Sequence, residues 1–278
     1  LVLRRAGREA EAEQMFRLAL RTHERTLGPD HEAVARDLVN LANSAEDPKE
    51  AEELFRRALA IEERTYGPDH HNVATSLGGL GGFLSKQRRY QEAEPLIRRA
   101  LAIEERSLGT QHPGLVPHLH NLSALLSATG RIQEAESLIR RAIVIDRQRE
   151  PAEYPDTVAA PLLLHLAKLL QVTGRQVEAE PLLREVLACH VRHYGPDHIR
   201  LEIPLNNLAL ILKETGQFAE AEQLLLRTLA LLEKHGEKDG PTLAANLNNL
   251  GHLYHAMGRW AESEPLLQRA VAMTEDSV

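Results

Sequence analysis

The chain has 278 residues with 33 basic and 40 acidic side chains, a net charge of −7, so no basic excess points to nucleic acid or an anionic membrane. Aromatics are only 4 %, and the single cysteine, Cys189, excludes an internal disulfide and fits a reducing, cytoplasmic setting. The longest purely apolar stretch, 158–164, contains Pro161 and is far too short to span a bilayer, and the first residues do not have the pattern of a signal peptide.

Along the chain, residues 1–6 read as the tail of a helix, and Glu11-Ala12-Glu13 starts the next. That tripeptide returns at 50–52, 92–94, 134–136, 178–180 and 220–222, and once more as Glu262-Ser263-Glu264. Its central residues are spaced by 39, 42, 42, 44, 42 and 42. "GPDH" stands at 28–31, 67–70 and 195–198, with "GTQH" at 109–112, and "TGR" or "MGR" precedes the tripeptide at 129–131, 173–175 and 257–259. Three markers in one register define an internal repeat.

Each unit reads as two helices. In the first, Leu77, Leu80 and Leu84 recur at helical spacing, as do Leu119, Leu122 and Leu126, and Leu247, Leu250 and Tyr254. In the second, Leu96, Ile97, Ala100, Leu101 and Ile103 form the apolar stripe. Glycines 130, 174, 216 and 258 fall at the inner turn, and glycines 67, 109, 195 and 236 at the end of the second helix, where a left-handed residue is favoured. The 39-residue unit lacks three residues at its inner turn, and Asp47-Pro48 restarts its second helix as N-cap and first-turn proline. Prolines 95, 181 and 265 are expected near helix starts, where a missing N–H is tolerated. Seven second helices and six complete first helices result. Stacked pairs bury a continuous core that one pair cannot, which is a solenoid.

The helix-turn-helix period, the inner-turn glycine and the small residue in each helix resemble the tetratricopeptide repeat. The 42-residue version, with "GPDH", "LNNLA" and "EAE", resembles the kinesin light chain type. The residues that carry it are Leu205-Asn206-Asn207-Leu208-Ala209, Leu247-Asn248-Asn249-Leu250-Gly251 and "RRALAIEER" at 56–64 and 98–106. The resemblance implies an all-α, right-handed superhelix of about seven repeats. They would form one array over 1–278, divided near 1–27 (partial), 28–66, 67–108, 109–150, 151–194, 195–236 and 237–278. It further implies a non-catalytic adaptor that holds an extended peptide or protein segment in a concave groove lined by the first helices. A regulatory module of a larger protein is the alternative, and an enzyme is disfavoured.

The asparagines of the motif are implied to bond the ligand backbone, since an amide offers both donor and acceptor. The second asparagine falls on Asn40, Asn121, Asn207 and Asn249, while Gly79 and His165 interrupt the ladder. The first falls on Asn206 and Asn248, with His120 at the same place. Lys168, His252 and His255 complete the candidate peptide-binding set, with His120 and His165. Two histidines on one helix, with no matching acid, fall short of the three or four ligands a metal requires, and no cofactor is expected. Histidines 31, 70, 112 and 198 belong to the repeat's own start, and Cys189 shares its column with Ile61, Ile103, Ile145, Leu231 and Met273, so it reads as core. Arginines 56, 98 and 140 follow Glu52, Glu94 and Glu136 by four residues, which neutralises that face. The uncapped ends leave self-association open.

"LGGLGG" at 77–82 falls inside a first helix, so it is not a nucleotide loop, which needs a preceding strand. Only Gly81 has an expected packing reason, because its column is Ala42, Ser123, Ala167, Ala209 and Gly251. For Gly78, Gly79 and Gly82 three explanations stay open: local drift, a bare patch that admits a bulky ligand group, or a hinge.

Overall fold

A computed structural model of the chain describes residues 9–148, 159–236 and 240–275. No strand occurs among them. The chain forms two compact units, Leu1–Ile145 and Asp146–Val278. The first holds α1 (Glu9–Leu27), α2 (Glu32–Ala42), α3 (Pro48–Tyr66), α4 (His71–Lys86), α5 (Tyr90–Leu108), α6 (Val116–Ala128) and α7 (Ile132–Arg147), the last running two residues past its border. The second holds α8 (Ala159–Val172), α9 (Gln176–Tyr194), α10 (Glu202–Glu214), α11 (Phe218–Lys234), α12 (Pro241–Ala256) and α13 (Trp260–Glu275). Short 3₁₀ turns at Pro113–Leu115 and Ile199–Leu201 lead into α6 and α10. The class is an all-α helical repeat solenoid of antiparallel pairs, in which α1 has no preceding partner among the described residues; the helix tail expected at residues 1–6 lies outside them.

The repeat markers have separate physical jobs. The histidine of "DH" caps the first helix. His31 Nδ1 accepts from the Ala33 N–H, His70 from Asn72, His112 from Gly114 and His198 from Arg200, at 3.0 to 3.2 Å. An accepting Nδ1 places the proton of the neutral ring on Nε2. Asp47 caps α3 through the Lys49 N–H at 2.9 Å, with Pro48 at the first helical position.

The central alanine of the tripeptide lets the two helices of a pair cross closely. Ala93, Ala135, Ala179 and Ala221 are fully buried, and the facing first-helix column is equally small. Ser123 donates to the Ala135 carbonyl at 2.7 Å, and Ser263 to the Gly251 carbonyl at 2.7 Å. Between pairs the core is aliphatic: Leu20, Val34, Leu38 and Ile61 cluster in the first unit, and Leu232, Leu243, Leu247 and Met273 in the second. Cys189 is buried, as its column predicts.

The prolines correct one expectation. The second helices begin two residues before the tripeptide, at Tyr90, Gln176 and Trp260, so Pro95, Pro181 and Pro265 lie inside them. Each forfeits one intrahelical hydrogen bond in the second turn. The arginine of "TGR" precedes that start and stabilises it from the side: Arg131 binds Glu134 at 2.5 Å and Glu94 of the preceding pair at 2.8 Å. Arg259 does the same with Glu262 at 2.5 Å and Glu222 at 2.8 Å. The expected i,i+4 pairs also form, Arg56 with Glu52, Arg98 with Glu94 and Arg140 with Glu136, at 2.7 to 2.8 Å.

Candidate functional site

In the first unit a cavity of about 590 Å³ runs across the first helices of three successive pairs, α2, α4 and α6. Two departures from the repeat create it. The three-residue deletion ends α2 after 11 residues, whereas α4 has 16, so the last turn of α2 is missing. Opposite that gap α4 carries glycines rather than amides. Gly78, Gly79 and Gly82 line the cavity with Phe55, Phe83 and Tyr90, and Asn43, Gln87, Lys86 and Asn121 supply polar groups. The rings of Phe55 and Phe83 lie 5.8 Å apart. The hydroxyl of Ser85, also in the lining, is buried and has no hydrogen-bond partner among the described residues.

The four glycines are not equivalent, which corrects the expectation that only Gly81 serves packing. A β-carbon on Gly78 would lie 2.5 Å from His118 Cε1, one on Gly79 3.1 Å from Phe55 Cε1, and one on Gly81 2.5 Å from Ile97 Cγ1. Three of them therefore yield space to side chains of other helices. Only Gly82 has room for a β-carbon, which would meet nothing closer than Asn121 Nδ2 at an ordinary 3.5 Å.

Of the candidate binding residues in this unit, Asn121 lines the cavity, and His120 beside it is half-buried. Asn40 is half-buried on α2 and lies outside the lining. Burial holds the pKa of His120, and of the neighbouring His118, below the usual histidine value, so both rings stay neutral.

In the second unit the ladder bonds to itself. Asn249 Nδ2 donates to Asn206 Oδ1 at 3.1 Å, linking α12 to α10. Asn207 is half-buried, and Asn248 is exposed. His165 is half-buried on α8, with Lys168 exposed one turn on. His252 is exposed, and His255 sets its ring edge-to-face on Trp260 at 4.3 Å. Among the described residues no three His, Cys, Asp or Glu side chains gather as metal ligands. No described helix is long and apolar enough to cross a membrane.

Helix pairs, small-residue crossings and a groove of first-helix side chains define the class, and the comparisons agree. The chain belongs to the tetratricopeptide repeat family, whose models match residues 1–33, 43–82, 74–148, 158–234 and 200–276. Its repeats are of the kinesin light chain-like type. It is similar to the nearly identical TPR-like repeats of a putative kinesin light chain from Podosopora anserina, at 26 % identity over 75 % of this chain and 99 % of that one, with a TM-score of 0.63. BtubC (BKLC) from P. vanneervenii shares the fold at 22 % identity, over 87 % and 92 % of the two chains, with a TM-score of 0.66. So does YrrB, described as a TPR protein with an unusual peptide-binding site, at 14 % identity over 81 % and 94 %, with a TM-score of 0.53. No curated protein matches the chain. Tetratricopeptide repeats are in general protein–protein interaction modules.

Proposed function

We propose that the chain is a non-catalytic interaction module that holds an extended peptide against its first helices, with one bulky side chain of that peptide seated over Gly82. The glycine-floored cavity carries this reading. It lies where the repeat otherwise presents asparagine, and it offers aromatic walls together with amide and hydroxyl groups. That mix suits a peptide, whose backbone needs both donors and acceptors while one side chain contributes apolar burial. YrrB supplies a precedent for a peptide site on the same architecture.

The test is occupancy of the cavity by the protein itself. Gly82→Leu adds a branched side chain at the cavity floor, where a β-carbon meets only Asn121 Nδ2, at 3.5 Å. Peptides selected on the unaltered chain should lose affinity by about tenfold or more on this variant, in line with removal of one buried apolar contact. Unchanged affinity on a folded Gly82→Leu variant excludes the cavity as the binding site.

A further inference from the structure

A second feature lies on the second helices and is independent of the groove. In the first unit a three-part contact recurs between neighbouring pairs. An arginine six residues after the central alanine binds a glutamate twelve residues after the preceding one: Arg57 with Glu24 at 2.7 Å, Arg99 with Glu63 at 2.7 Å and Arg141 with Glu105 at 2.5 Å. Two of these arginines also donate to the intervening loop, Arg99 to the Pro68 carbonyl at 2.8 Å and Arg141 to the Thr110 carbonyl at 2.7 Å. The fork of the guanidinium thus satisfies a carbonyl with one nitrogen and a carboxylate with another.

In the second unit Arg227 holds the same place on α11 and keeps the first half of the contact, donating to the Pro196 carbonyl at 2.7 Å. The second half is gone, because the glutamate position on α9 is Val191. Among the described residues no carboxylate forms an ion pair with Arg227. Asp197 nearby is engaged by Lys234 at 2.9 Å, and Glu220 by Arg184 at 2.7 Å. Where the carboxylate would lie there is a cleft of about 420 Å³, with Leu187, Val191, Leu208 and Leu224 as its apolar floor, and Arg184, Arg192, Arg227 and the Arg184-paired Glu220 around it. Leu187, Val191 and Leu224 of that floor pack against the core cluster built on Leu201, Leu205 and Leu231.

We infer that this cleft binds a peptide segment in which an aliphatic side chain stands next to a carboxylate. The carboxylate takes the place on Arg227 that Glu63 takes on Arg99, and the aliphatic group covers Leu187, Val191 and Leu224. Charge decides the polarity of the partner: Arg227 makes no ion pair among the described residues and feels Asp197 only at longer range, so the ligand supplies the anion. Geometry decides the spacing, since Val191 and Arg227 stand at the two ends of what is one ion pair in the repeats of the first unit.

The test is an amide NMR titration of the full chain with acetyl-Leu-Glu-Leu-Glu-amide and with its Leu-Gln-Leu-Gln counterpart. Saturable shifts are expected around residues 187, 191, 224 and 227, with the acidic peptide bound about tenfold more tightly, as one charge-assisted hydrogen-bonded pair gives. Val191→Glu, which rebuilds the internal ion pair, should abolish these shifts, and Arg227→Gln should equalise the two peptides. Gly82→Leu should leave them unchanged, which separates this site from the groove. Absence of shifts at millimolar peptide, equal binding of the two peptides to the unaltered chain, or binding that survives both Val191→Glu and Arg227→Gln overturns the inference.

Discussion

Gly81 and Ile97 approach so closely that a β-carbon on the glycine would lie 2.5 Å from the isoleucine Cγ1, whereas its neighbour Gly82 meets nothing nearer than 3.5 Å. The same substitution therefore has opposite signs at adjacent positions. Gly81→Ala overpacks the crossing of α4 and α5 and should lower stability by about 1–3 kcal/mol. Gly82→Ala should raise it by about 0.8–1 kcal/mol, the helix-propensity difference alone. Urea unfolding midpoints of the two variants check this directly.

Arg88 takes the left-handed conformation, φ 61°, at the inner turn where the other pairs carry Gly130, Gly174, Gly216 or Gly258. A side chain there costs about 1–2 kcal/mol that glycine avoids. Arg88→Gly should raise stability by about 1 kcal/mol, after the entropy glycine loses on folding is deducted. A drop in the unfolding midpoint would show that the Arg88 side chain makes a compensating contact.

Asn246 is fully buried on α12, and among the described residues neither its Nδ2 nor its Oδ1 has a hydrogen-bond partner. Leu162 fills the corresponding place in α8, which shows that the column accepts an aliphatic group of similar branching. Asn246→Leu should stabilise by about 1–3 kcal/mol, the cost of an unmet buried amide. Thermal unfolding decides it. Destabilisation would mean that the amide has a partner on folding.

Stability should change with pH in two directions. His118 and His120 have folded-state pKa values pushed down by burial. Below about 6.5, the ordinary histidine value, the unfolded chain therefore takes up protons that the folded chain refuses, and stability falls with pH. Glu104 has its pKa raised by burial, with the His71 and His112 charges opposing the shift only in part. The folded chain keeps that proton after the unfolded chain has lost it, so the contribution of Glu104 is present at low pH and is lost as pH rises through its folded value. Glu104→Gln should stabilise the chain at pH 8 and change little at pH 4, and His118→Gln should flatten the acid limb. Urea titrations across this range test both signs.

Much of the fold was legible because its signals are local. The "DH" cap, the central alanine and the inner-turn glycine each act within a few residues of where they stand, so their register alone gives pairs of helices. The i,i+4 pairs such as Arg56 with Glu52 follow for the same reason. The roles of Gly78 and Gly79 were not legible, since their partners His118 and Phe55 come from other helices and the column pattern shows only that amides are missing. The cavity likewise needs the shortened α2 set against the glycines of α4, two features far apart in sequence. The bond from Asn249 to Asn206 crosses between repeats, so the ladder looks available for a ligand until the neighbouring helix is in place. Pro95 misled because the preceding arginine starts the helix earlier than the tripeptide suggests.

Peptide capture through the first helices of the first unit is most directly tested by a peptide-display selection on the intact chain. It is repeated on Gly82→Leu and on the double variant Asn207→Leu/Asn249→Leu, with circular dichroism to establish that each is folded. The expected result is a family of peptides sharing one bulky side chain that enriches on the intact chain and on the asparagine variant but not on Gly82→Leu. Enrichment that ignores Gly82→Leu, or no enrichment on the intact chain, would contradict binding in the glycine-floored cavity.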